Sequence, residues 1–136
     1  MTRYAIDAAV ALDLVRRASD ADRRHPLVGP AVLRSQVLAR VWADVRSGRL
    51  DEPAGRALVD RLAGFRIRLL GDRVSRATAW RIAREADWDD VTAAEYLAVA
   101  VLQADVLVTD DPELRARADG RIAVAGPDVL DAPPAG

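Results

Sequence analysis

The segment from Ala93 to Ala104 is apolar almost all the way round a helix, and Val106-Leu107-Val108 follows it directly. A helix with no polar face has to be buried on every side. A short run without polar alternation fits a parallel strand covered on both faces. Together they call for a central sheet with helices above and below, an α/β architecture. Half of the chain is hydrophobic (51%), but only three Trp, two Tyr and one Phe are present. Ala, Val and Leu must therefore fill the core, which favours close packing of helices. At 136 residues the chain fits one domain, since a domain takes roughly 150.

The other segments repeat the alternation. Tyr4-Ala5-Ile6 reads as a first strand and Ala8 to Ala18 as a helix. Ser19 to Pro26 is charged and turn-rich and reads as a loop, with His25 a surface histidine. Leu27-Val28 reads as a second strand, closed by Gly29-Pro30. A long helix is expected from about Ala31 to Arg46, with Val37, Val41 and Val45 four apart and Leu33, Leu38 and Trp42 beside them. Asp51-Glu52-Pro53 is a helix start, an acidic cap with proline in the first turn, and that helix runs to about Ala63. Ile67 to Leu70 is strand-like. Asp72 caps a further helix whose apolar residues include Val74, Ala77, Trp80 and Ile82. Asp111-Pro112-Glu113 opens a short helix, and Ile122-Ala123-Val124 reads as a last strand. The expected organisation is a single domain over 1–131 and a loose Pro/Ala/Gly tail over 132–136. The sheet is expected to be parallel, with about four to five short strands flanked by helices.

Composition narrows the chemistry. There is no cysteine, which excludes disulfides, cysteine zinc sites and thiol catalysis. One histidine excludes His-rich metal motifs. Charges nearly balance, with 20 basic residues, all arginine, against 21 acidic ones. There is no basic footprint for nonspecific nucleic-acid binding. No stretch approaches the roughly 20 apolar residues of a membrane helix, and Asp7 and Asp13 interrupt any leader-like N-terminus. A cytoplasmic protein is the expectation. Arg73, Arg76, Arg81 and Arg84 read as a solvated helix face, and Trp42, Trp80 and Trp88 as core or interface anchors.

In open α/β sheets, ligands bind beyond the carboxyl ends of the strands. Two expected strands end there in aspartate, one in Asp7 and the other in Asp110 and Asp111. Converging carboxylates repel unless a cation lies between them. Without Cys or a usable His, the natural candidate is Mg²⁺, which takes one or two carboxylates plus waters and substrate phosphate. Asp7 and Asp111 also sit where helix caps belong. A carboxylate has two oxygens, so a cap can still be a ligand. Asp89 and Asp90, ahead of the apolar helix, read as caps.

Three segments in order resemble the PIN-domain family and its VapC-like ribonuclease toxins. They are Tyr4-Ala5-Ile6-Asp7, Glu95-Tyr96-Leu97-Ala98-Val99-Ala100 and Val106-Leu107-Val108-Thr109-Asp110-Asp111. The resemblance spans nearly the whole chain. It implies a three-layer PIN-like fold and an endoribonuclease toxin using Mg²⁺ (or Mn²⁺). It further implies a cognate antitoxin, an RNA substrate and homodimerisation. Asp7 takes the first acidic position and Asp111 the Thr-x-Asp position, with Asp110 beside it. Gln36, in Arg34-Ser35-Gln36-Val37, stands where the family has a glutamate, and would supply a neutral oxygen or orient a metal-bound water. Ala93, three residues before Tyr96, stands at the position of a third acidic ligand, vacant here. It reads equally as natural loss or engineered inactivation. The site is therefore incomplete, and a non-catalytic PIN-fold module that keeps its antitoxin and dimer surfaces is the alternative. A receiver-like fold with clustered aspartates is a third class, opposed by the complete absence of lysine.

Overall fold

A computed structural model describes residues 1–134. Five strands form one sheet in the order β3-β2-β1-β4-β5, all parallel. They are β1 Tyr4–Ile6, β2 Leu27–Pro30, β3 Arg68–Leu70, β4 Val106–Val108 and β5 Ala123–Ala125. The helices are α1 Ala8–Arg16, α2 Ala21–Arg24, α3 Leu33–Arg46, α4 Glu52–Gly64, α5 Arg73–Ala86, α6 Val91–Gln103 and α7 Pro112–Ala118. A short 3-10 helix, Pro127–Asp131, ends the described fold. The three-layer PIN-like α/β expectation holds.

Strand alternation divides the core between the two faces. Tyr4, Ile6, Leu27 and Val108 pack with α1, α3 and α4. Ala5, Val28 and Leu107 pack with α5 and α6. Helix α6 lies between α5 and the sheet, and Leu97, Ala98, Val99 and Ala100 are at most 1% exposed. The apolar segment from Ala93 to Ala104 is thus the inner layer on one face. No helix is long and apolar enough to cross a membrane.

The caps follow their sequence signals. Asp7, Asp51, Asp72, Asp90 and Asp111 each accept a hydrogen bond from a first-turn amide. The carboxyl of Asp72 is held below the usual range first by the Ser75 amide and then by the Ser75 side chain. A depressed folded pKa contributes stability above the ordinary value of 3.8, and that contribution is lost as pH falls through the lower folded value. Asp72→Ser keeps a cap that does not titrate. The urea midpoints of the two proteins should therefore shift relative to each other in favour of the variant as pH drops below the carboxylate range. A pH-independent difference would contradict this.

Several expectations need correction. His25 is not a surface residue. It is 5% exposed, stands edge-on to Tyr4 at 5.2 Å, and donates from Nε2 to the Ala132 carbonyl at 2.9 Å. That carbonyl lies 107 residues away, so local polarity misleads. The same bond anchors the first residue of the expected tail, whose residues 135 and 136 lie outside the described part. The segment 19–26 is not only loop, because Ala21–Arg24 forms one helical turn. Strand β2 continues through Gly29 and Pro30, both buried. Ala31 and Val32 precede α3, which begins at Leu33.

Two helical faces also differ. Helix α5 turns Ser75, Thr78, Ala79 and Ile82 inward, leaving Val74 60% and Trp80 65% exposed and Ala77 outside. Small side chains permit close approach to the alanine-rich α6, and Ser75 Oγ is satisfied by the Asp72 carbonyl at 3.0 Å. On α3, Leu33, Val37 and Val41 are buried while Leu38 and Trp42 point outward. Trp42 and Trp80 are therefore not core anchors. The α3–α4 contact is tight because Gly55 faces α3. A Cβ there would lie 2.7 Å from Val45 Cγ2.

Candidate acidic cleft

Chain order places the site. From β1 the chain moves outward through β2 to β3, then returns to add β4 and β5 on the other side. The strand order thus switches direction between β1 and β4, where crevices form at the carboxyl ends of parallel strands. A cleft of about 690 Å³ opens at this point. Its lining includes Asp7 after β1, Asp110 and Asp111 after β4, Asp128 after β5, Asp13 on α1 and Arg40 on α3.

Asp7 is the fixed point. It is 7% exposed, and both carboxylate oxygens are engaged. Oδ1 accepts from the Val10 amide at 2.8 Å, capping α1. Oδ2 accepts from Thr109 Oγ1 at 2.6 Å. Thr109, fully buried, also accepts from the Asp111 amide at 3.0 Å. One hydroxyl therefore ties the end of β1 to the turn after β4. Asp111 is exposed and caps α7 through the Glu113 amide at 3.0 Å. Asp110 is exposed, and Asp13 pairs with Arg17 Nε at 3.0 Å.

Tyr96, on α6, belongs to the buried core that Ile6 and Val108 also join. Its ring is 4% exposed, and its hydroxyl is buried with no hydrogen-bond partner. Burial, and then the nearby charge of Asp7, push the phenol well above its usual range, while Arg40 pulls it back.

Of the positions singled out by sequence, Asp7, Asp110 and Asp111 meet in the cleft. Gln36 is half-buried on α3 and is not among the residues lining it. Arg40, one helical turn further along the same face, is. Ala93 sits in the first turn of α6, half-buried against the core, and Asp90 is held as that helix's cap by the Thr92 amide at 2.8 Å. Asp89 is exposed beside it. Asp128 escaped the sequence reading, though the rule that found Asp7 and Asp110 applies equally to β5. Asp13 and Arg40 carry no motif, and only the packing of α1 beside α3 brings them to the cleft.

A divalent ion such as Mg²⁺ takes one or two carboxylates plus waters and substrate phosphate. Asp7 accepts a hydrogen bond at each oxygen and Asp111 at one, and each carboxylate keeps further lone pairs; Ala93 does not line the cleft. The cleft already contains a guanidinium. Among the described residues, no three Asp, Glu or His side chains come close enough together to hold a metal ion. The described residues thus hold no preformed three-ligand cation centre.

No protein-family model and no curated protein matches this sequence. Solved structures do. The crystal structure of PAE2754 from Pyrobaculum aerophilum matches 95% of this chain and 93% of its own, with a TM-score of 0.72 and 26% identity. VapBC2 from Rickettsia felis, solved bound to a DNA fragment from their promoter, matches over 91% of this chain and 98% of that one. Its TM-score is 0.59 at 8% identity, a likeness of fold alone. With the parallel sheet and the acidic switch-point cleft, these similarities show that this chain has a PIN-like three-layer α/β fold, shared with PAE2754 and with the VapBC2 structure.

Proposed function

We propose that this chain is the PIN-domain member of a toxin–antitoxin pair and acts by binding its partner rather than by cutting RNA. The observation that carries this reading is the donor set of the cleft. Aspartates from the strand ends share the cleft with Arg40, yet among the described residues no three acidic or histidine side chains lie close enough together to hold a metal ion, and Ala93 offers none. Five carboxylates against one guanidinium also leave the cleft negative, which repels phosphate.

A partner surface supports the same reading. Between α3 and α4 runs an apolar groove lined by Leu38, Val41, Trp42, Val45 and Val59, with Glu52, Arg56 and Asp60 at its edge. Leu38 is 53% and Trp42 58% exposed. Aromatic and aliphatic side chains beside charged ones suit the apolar face of an amphipathic antitoxin helix. For the self-association that the family resemblance implies, Val74 and Trp80 on α5 offer exposed apolar area.

A second reading, a metal-dependent endoribonuclease toxin using Mg²⁺ (or Mn²⁺), is favoured by the convergence of Asp7, Asp110 and Asp111 in one cleft. Incubating the purified protein with structured and unstructured RNA in millimolar Mg²⁺ or Mn²⁺ separates the two. No cleavage above a metal-free blank is expected. Metal-dependent cleavage that disappears in Asp7→Asn would overturn the binding reading and establish the nuclease.

A further inference from the structure

We infer that the outer face of α5 is a binding stripe for single-stranded nucleic acid, with Trp80 as the stacking platform and Arg73, Arg76 and Arg84 as the phosphate contacts. The near balance of charge over the whole chain hides a local imbalance. From Arg73 to Arg84 the helix carries four arginines and no acidic residue. Arg73, Arg76, Trp80 and Arg84 follow one another at spacings of three, four and four residues, so they share one helix face. All four are exposed, Trp80 at 65%. The stripe runs about 16 Å along the helix, at 1.5 Å per residue. Arginines clustered along one helix face are the local footprint of a polyanion site.

The surroundings favour a bound strand over bare solvation. Arg73 and Arg84 make no ion pair within 4.0 Å among the described residues, so neither charge is already answered. Arg76 gives one N–H to the Gly71 carbonyl at 2.6 Å, and a guanidinium has five. The acids flanking the stripe are engaged. Asp72 caps the helix through the Ser75 amide at 2.8 Å, and Glu85 meets Arg121 at 2.8 Å. The inward side of α5 is Ser75, Thr78, Ala79 and Ile82, which leaves the Trp80 indole outside, between arginines one turn before and one turn after it. An exposed aromatic ring stacks any unpaired base, while cations beside it hold the backbone. Bases in a duplex are already stacked, so the class is single strands. A second copy seated on Trp80 would bring two sets of arginines together, a like-charge juxtaposition, and a polyanion fits the face better. The acidic cleft is built from α1, α3 and the strand ends, none of which belongs to the stripe.

Fluorescence anisotropy of a labelled oligouridylate, titrated with the purified protein in low salt and chelator, tests this. The chelator excludes metal-dependent cleavage, so the result does not depend on what the cleft does. The wild type should bind the strand. Trp80→Ala should bind about 5–100-fold more weakly, the scale of one lost base–aromatic stack. Affinity should fall as salt rises, and the log–log slope should flatten by about 0.7 for each of Arg73→Gln and Arg84→Gln. The same strand paired with oligoadenylate should bind clearly more weakly. Arg49→Gln makes the same change of charge beyond the end of α3, where its side chain is 78% exposed, and should leave binding unchanged. A wild type that binds no strand overturns the inference. So does binding that Trp80→Ala leaves intact, or that Arg49→Gln weakens as much as Arg84→Gln. Dimerisation that Trp80→Ala abolishes, without strand binding, overturns it too and makes the face an interface between copies.

Discussion

Leu97→Ala is expected to lower the unfolding free energy by about 3–5 kcal/mol, the upper part of the range for buried leucine truncations. Leu97 is completely buried on α6. That helix lies between α5 and the sheet, packed with Ala79, Ile82, Ala98 and Leu107 in one cluster. A cavity closes only if its walls can move inward. Here one wall is a hydrogen-bonded sheet and the other a helix already in close contact through small residues. Neither can follow the missing methyl groups, so the cavity term is kept in full. A domain of this kind has about 5–15 kcal/mol in total, so the variant should lose a large share of it. Leu102→Ala on the same helix is the control. Leu102 is 38% exposed, and its loss should cost clearly less. Urea unfolding of both variants checks this, and equal costs would contradict the layered packing.

Thr109→Val should cost about 2–3 kcal/mol although it preserves shape and volume, because a hydrogen bond to a charged group contributes about 1.5–3 kcal/mol. The valine takes the donor away from Asp7 Oδ2 and the acceptor away from the Asp111 amide. Asp7 is 7% exposed, so water replaces the lost donor poorly. Thr109→Ser keeps the hydroxyl and loses one methyl group. It should therefore recover most of the loss, and amide exchange at Asp111 should remain slow in it and quicken in Thr109→Val. If serine and valine were equally destabilising, the hydroxyl would not be the link between the two strand ends.

Most of the frame was legible because it rests on local chemistry. The five capping aspartates stand next to the helices they cap, and the apolar run of α6 has few ways to be buried. Asp7, Asp110 and Asp111 were legible for a related reason. A parallel strand fixes where its next residue goes, so an acid after each of two neighbouring strands falls into one crevice. What escaped depends on distant partners. His25 looked polar and exposed because nothing nearby announces the Ala132 carbonyl. The α5 face was misjudged because side-chain size alone favours Val74 and Trp80, whereas contact with an alanine-rich helix selects Ser75, Thr78 and Ala79. Gln36 was the natural choice from its Ser-Gln context. Only the angle at which α3 crosses α1 brings Arg40 to the cleft instead.

The most direct test of the non-catalytic reading is calorimetric titration of Mn²⁺ into the unmodified protein, with Asp7→Asn as the control. The account predicts no saturable heat at millimolar Mn²⁺ and no difference between the two proteins. Saturable binding by the unmodified protein that Asp7→Asn abolishes would contradict it, and would make the cleft a metal centre after all.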